Sequence, residues 1–278
     1  MAIRRFSEKK LTAEVLHRIR KTKNRRLKQV MTAYIRHLHA FVREVKPTPD
    51  EWMQGIQFLT ETGHWSTGMR QEFILMSDTL GVSMLVDALN YKASDGATQS
   101  TVLGPFHRES APEFPPGASI AKNPADGEPC VLSGTVRDTA GRPVAGAKLD
   151  IWEGGADGLY DSQKGDDMNL RGVFRSDAQG RFHFRCVVPT FYPVPNDGPV
   201  GKMLVATGRH PMRPPHVHFW ITAPGYRPLI THLFRKGGKY LDSDAVFGVK
   251  PELIVDFKKG KDGVATANYD FVLMKSKK

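Results

Sequence analysis

The sequence predicts an α+β protein, with a helical N-terminal region over residues 1–101 followed by an all-β sandwich over residues 102–278. Three observations carry this. Through the first hundred positions apolar residues recur at three- and four-residue steps, the period of a helix with one apolar face. After residue 100, Pro and Gly become frequent and short apolar runs alternate with turn signals, the texture of a sandwich. The charge divides in the same way. Of a net +11 over 278 residues, residues 1–46 hold 14 Lys and Arg against 3 Asp and Glu, and the remainder holds 26 of each sign.

Taken in order, Val15, Leu16 and Ile19 alternate with basic residues and suit an amphipathic helix, so the basic segment reads as a solvated helix face rather than a nucleic-acid arm. No helix-turn-helix, zinc-finger or RNA-binding signature accompanies it. Leu27, Val30, Met31, Tyr34, Ile35, Leu38, Phe41, Val42 and Val45 give a long helix. Thr48-Pro49-Asp50-Glu51 starts the next, with Thr48 as cap, Pro49 at the first helical position and Glu51 completing a capping box. A further helix is expected from Met69 to Asn90, with Phe73, Met76, Leu80, Leu85 and Leu89 near one side. Strands are expected at Val131–Val136, Lys148–Trp152, Arg181–Cys186 and over residues 216–221, with turns at Thr139–Pro143 and Ser176–Gly180. Cys130 and Cys186 have no metal or redox spacing and read as free, buried thiols. No apolar run reaches 18 residues, and the positive N-terminus lacks the apolar core of a signal peptide. A cytoplasmic protein without a membrane span is the expectation.

The chemistry concentrates around Arg213-Pro214-Pro215-His216-Val217-His218-Phe219. Side chains two apart on a strand face the same way, so His216 and His218 can offer two imidazoles to one metal ion. Other donors decide which metal. Zinc wants a third His, a Cys or a carboxylate, and an iron(II) oxygenase wants one carboxylate, for which Asp157 and Asp161 are available. Tyr160, just past a strand, and Tyr192, in the proline-stiffened Pro189–Pro195 segment, offer phenols instead. Two phenolates and two imidazoles would suit Fe(III), because a trivalent cation strongly depresses a phenol's pKa.

The stretch from Leu103 to Val249 resembles the intradiol ring-cleavage dioxygenases. Leu103-Gly104-Pro105-Phe106 is similar to their substrate loop. Leu149-Asp150-Ile151-Trp152 with Asp157-Gly158-Leu159-Tyr160-Asp161 is similar to the stretch presenting their first tyrosine ligand, and Arg213–Phe219 to their R-P-x-H-x-H-F signature. The helical N-terminal region resembles that of the catechol-cleaving branch. The resemblance implies Tyr160, Tyr192, His216 and His218 as ligands of one Fe(III) per subunit. It implies Arg213 beside the bound substrate and Tyr192 as a ligand that also takes a substrate proton. It implies a homodimer through the N-terminal helices, and it permits a phospholipid between them, as in some members.

Two positions depart from the catechol-cleaving pattern. His107 follows Phe106 where that branch usually has tyrosine, and His232 follows Thr231 where it has glutamine. Both departures, and Tyr240-Leu241-Asp242-Ser243-Asp244-Ala245-Val246-Phe247-Gly248-Val249-Lys250, match the branch that cleaves hydroxyquinol. The expected substrates are therefore an aromatic diol or triol, hydroxyquinol in particular, and O2. By the same resemblance Leu75, Asp78, Val102, Leu103, Gly104 and Pro105 line the ring pocket. Asp78 would either accept a hydrogen bond from a third ring hydroxyl or face solvent. His232 would either face the substrate or orient a metal ligand.

Overall fold

The periods read from the sequence become helices and strands with identifiable local causes. The structure, a computed structural model, describes residues 7–67, 70–94, 96–165 and 167–276. It divides into two units, one ending at Thr60 and one beginning at Glu61. The first holds α1 (Glu8–Arg18), α2 (Arg25–Val45) and most of α3 (Pro49–Trp65). Asn24 caps α2 by accepting the Leu27 N–H at 2.9 Å, and Lys46 ends it in the left-handed region. The capping box of α3 forms in both directions: Thr48 N–H donates to Glu51 Oε2 at 2.7 Å, and Glu51 N–H donates to Thr48 Oγ1 at 3.2 Å. Ile35 is buried, but most apolar positions of α2 stay exposed in the single chain, Tyr34, Phe41 and Val45 each more than half.

In the second unit the expected helix from Met69 to Asn90 is two helices, α4 (Glu72–Thr79) and α5 (Val82–Asn90); Met69 itself lies outside the described residues. The break is Gly81, whose φ of +74° is left-handed and strained for a residue with a side chain. Apolar residues stand on both sides of this two-residue break, so their presence alone could not reveal the turn. One more helix, α6 (Pro199–Ala206), follows Tyr192.

The strands are β1 (Pro129–Asp138), β2 (Lys148–Glu153), β3 (Arg171–Arg175), β4 (Arg181–Val187), β5 (Tyr192–Pro193), β6 (Met212–Arg213), β7 (His216–Thr222), β8 (Leu229–Arg235), β9 (Ile254–Val255), β10 (Lys258–Lys259), β11 (Ala265–Asn268) and β12 (Phe271–Leu273). One sheet runs β10-β11-β1-β12, with β4 also on β1, and the other runs β3-β2-β7-β8-β9. Between them lies a core in which Leu132, Val136, Phe182 and Phe184 meet Leu149, Ile151, Val217, Phe219, Ile221 and Leu233. Cys130 and Cys186 stand opposite each other on β1 and β4, buried and unbonded.

Alternation decides where the chemistry goes. On β7 the odd residues Val217, Phe219 and Ile221 enter the core, so His216 and His218 point out of the opposite face. Registers across that face set Trp152 opposite His218, and His218 opposite His232. Among the described residues no helix is long and apolar enough to cross a membrane.

Candidate metal centre

Three segments converge on the outer face of β7. Tyr160 ends the loop after β2, Tyr192 opens the short ribbon β5–β6 opposite Arg213, and His216 and His218 come from β7. Their four donor atoms lie in mutual contact. Tyr160 Oη is 3.2 Å from Tyr192 Oη and 3.0 Å from His218 Nε2. His216 Nε2 is 3.1 Å from His218 Nε2 and 3.4 Å from Tyr192 Oη. Donors about 2.0–2.1 Å from one ion are about 2.9–3.4 Å from each other, so one cation can touch all four.

Proton positions favour the same reading. His216 Nδ1 lies 2.7 Å from the Pro214 carbonyl and must donate to it, which leaves a lone pair on Nε2 facing the other three donors. Burial, with the Arg213 charge added, pushes the His216 imidazole down to about 3. Burial, with His232 and His216 added, pushes His218 well below its ordinary value. Burial also raises both phenols, Tyr160 well above the ordinary range and Tyr192 less because the Arg213 charge opposes it. Without a cation the cluster is thus neutral. A cation would supply the charge that ionises the phenols.

Arg213 is buried and held by Asp244, with Nε donating to Oδ1 at 3.1 Å and Nη2 to Oδ2 at 3.3 Å. Burial opposes both charges. The pairing outweighs it, raising Arg213 and lowering Asp244. Arg213 Nη1 is left 3.4 Å from Tyr192 Oη and 3.2 Å from His216 Nε2, a fixed positive charge beside the donors.

The Leu103-Gly104-Pro105-Phe106 loop passes over the same cluster. Gly104 has φ +74°, and a Cβ there would stand 3.4 Å from the His218 ring. Leu103 packs among Phe106, Trp152, Tyr160 and Tyr192. Leu75 and Val102 join Val194 and Val246 in a second apolar cluster. Leu75 and Pro105 line a cleft of about 420 Å³ with Leu159, Pro193 and Val194, the chain neighbours of Tyr160 and Tyr192. Another cleft, about 510 Å³, lies behind Asp244 along Arg209, His210 and Phe247 and adjoins none of the four donors in sequence. Asp78 is 2% exposed, so the solvent-facing alternative is wrong. Burial raises its carboxyl pKa, Ser83 hydrogen-bonds it, and the charges of Arg213 and Asp244 act on it.

His232 is buried against both donor imidazoles, with ring centroids 4.8 Å from His216 and 4.2 Å from His218. Its Nδ1 meets Thr101 Oγ1 at 3.0 Å. The three imidazoles have ligand atoms within 4.8 Å of one another. The carboxylates offered as alternatives are engaged elsewhere, Asp157 with Lys164 at 2.6 Å and Asp161 with Arg171 and Arg108. His107 turns away from the donors, edge-on to Trp152 and Trp220 and 3.4 Å from Asp150. Sequence reasoning assigned no role to Phe106, Trp152, Thr101 or Asp244. Phe106, Trp152 and Asp244 each lay inside a stretch that carried the resemblance, and Thr101 left no signal.

Comparisons with known proteins identify the family. Residues 24–98 match the family model described as "Catechol dioxygenase N terminus" and residues 102–275 the one described as "Dioxygenase". The chain is 53% identical over 270 residues to 6-chlorohydroxyquinol 1,2-dioxygenase of Cupriavidus pinatubonensis, covering 96% of this chain and 98% of that one. It is 49% identical over 260 residues to hydroxyquinol 1,2-dioxygenase of a Rhizobium species, covering 92% and 88%. The solved structure of hydroxyquinol 1,2-dioxygenase from Pseudomonas putida superposes with a TM-score of 0.89 at 46% identity, covering 97% of this chain and 99% of that one. The chain belongs to the intradiol ring-cleavage dioxygenase family and is an oxidoreductase of that family.

Proposed function

We propose that the protein cleaves hydroxyquinol, 1,2,4-trihydroxybenzene, with O2 between its two adjacent hydroxylated carbons, giving 3-hydroxy-cis,cis-muconate, a tautomer of maleylacetate. The observation that carries this is the ring of four donor atoms at 3.0–3.4 Å, two of them phenol oxygens. Tyr160, Tyr192, His216 and His218 hold one Fe(III) per subunit, consistent with a family that implies non-haem iron. Hard oxygen donors and two imidazoles fit that ion, which supplies Lewis acidity and a template for the substrate.

The chain's own residues do the rest. The substrate approaches along the cleft bounded by Leu75 and Pro105, and Val102, Leu103 and Gly104, on the loop packed over the donors, line the ring pocket. Tyr192 Oη, beside a positive charge and on a two-residue ribbon, accepts one of the two protons the diol must lose. Arg213 Nη1 stabilises negative charge on the bound ring, and Asp244 keeps that guanidinium in place before substrate arrives. Asp78, buried and already bonded to Ser83, accepts a hydrogen bond from the third hydroxyl, so that a ring lacking it leaves the carboxyl one partner short. His232 orients His216 and His218 from the next strand.

Residues 1–101 form a dimerisation region and residues 102–278 the catalytic domain. The exposed apolar face of α2 is the surface that a second subunit covers in a homodimer, with room for a phospholipid at that junction. The cytoplasm is the proposed location. The deciding experiment is iron analysis with oxygen uptake on hydroxyquinol, catechol and chlorocatechol. It should give one iron per chain, a red colour and highest kcat/KM on hydroxyquinol. Protein without iron would sink the metal assignment, and a preference for catechol would sink the substrate.

A further inference from the structure

Arg171 has no part in the reading above, yet it is among the largest fully buried side chains of the molecule. A buried guanidinium is costly unless its donors are matched in place. Here Nε donates to Asp161 Oδ2 at 2.7 Å, and Nη2 donates both to Asp161 Oδ1 and, at 3.0 Å, to the Phe106 carbonyl. Asp161 follows Tyr160 directly in the chain. The Phe106 ring lies on the Tyr160 ring, with centroids 4.4 Å apart and planes 17° from parallel. Arg171 therefore grips both the segment that carries Tyr160 and the loop that covers it.

Register adds a second line. On the outer face of the sheet Arg171 stands opposite Trp152, and Trp152 opposite His218. The Trp152 ring stacks on the His218 imidazole at 4.7 Å, 14° from parallel. Residues directly opposed on neighbouring strands share a face and touch. One row across β3, β2 and β7 thus runs from the guanidinium to a donor imidazole, while its hydrogen bonds run to the chain neighbour of a donor phenol and to the residue whose ring stacks on that phenol.

We propose that Arg171 is a positioning residue, which sets the direction of the Tyr160 hydroxyl and the His218 imidazole by clamping Asp161 and the Phe106 loop to the sheet. The proposal rests on the iron reading above. Lysine could keep the charge but not the fork, since a single ammonium cannot meet both carboxylate oxygens and the carbonyl in the same geometry.

The test is Arg171→Lys, purified as the iron-loaded enzyme and compared with wild type in iron content, visible tyrosinate-to-iron absorption, kcat, KM and thermal midpoint. The variant should keep about one iron per chain and lose kcat about 10- to 100-fold, with the visible band shifted or broadened. KM should stay within about twofold. A lower thermal midpoint with wild-type band and kcat would mean a merely structural role and would overturn the proposal. If Arg171→Lys does not fold, Asp161→Asn carries the same expectation, and a wild-type band and kcat there would overturn it equally. Wild-type protein without iron or without the band is a different failure: it removes the iron reading itself, and the proposal with it.

Discussion

Tyr160 and His218 rest against flat rings, Phe106 on the one and Trp152 on the other, whereas Tyr192 and His216 rest against a charged pair, Arg213 with Asp244. The first half is tied to the large sheet through Arg171 and its cross-strand neighbours. Within the second half, Tyr192 sits on a ribbon of two-residue strands, and its phenol is raised less because a positive charge faces it. Aromatic walls fix position but respond little to a change of charge. A fixed cation beside a phenol responds to every proton that comes or goes. The contrast teaches that one side of the donor cluster is held by stacked rings and the other by fixed charge, the side to which proton exchange is proposed to fall.

The sharpest way to break this division is to compare Tyr160→Phe with Tyr192→Phe. Tyr160 is wholly buried under a stacked ring. Tyr160→Phe should therefore lose iron and cut kcat by about 100-fold or more. Tyr192→Phe should retain most of its iron while kcat falls, because Tyr192 is the proposed proton acceptor. Equal iron loss in both variants, measured by metal analysis, would erase the distinction. A smaller effect is expected for Asp78→Ala, since the carboxyl lies in the field of Arg213 and Asp244 and so belongs to the polar half. Its kcat/KM for hydroxyquinol should fall about tenfold further than that for catechol. Parallel losses on the two substrates would remove Asp78 from substrate selection.

The smallest effect concerns acid stability of the metal-free protein. His216 titrates near 6.5 when unfolded and is pushed down to about 3 by burial and Arg213, so the fold favours its neutral form. Its contribution is complete above about pH 6.5 and is lost as pH falls toward 3. The thermal midpoint of the metal-free protein should drop over that window, and His216→Gln should flatten the slope. An unchanged slope in the variant would show that other groups carry the acid sensitivity.

Much of this was legible from residues that act on their near neighbours. The capping box at Thr48, the long α2 and the shared direction of His216 and His218 follow from spacing within one segment, and the structure shows each of them. The Gly81 break was not legible, because apolar residues continue on both sides of it and a lone glycine is tolerated within a helical pattern. Nor was the fate of Asp157 and Asp161, whose partners Lys164 and Arg171 are neighbours only after the loop closes.

What the sequence by itself determined is therefore local: which stretches are helix or strand, which face of each is apolar, and, through its ordered motifs, which four donors to expect. Tertiary structure alone decided who stands beside them. Arg171, Trp152, His218 and His232 form one row across four strands because turn lengths and core packing set the registers. A one-residue slip in any of those pairings would leave the composition and motifs unchanged and dissolve the row.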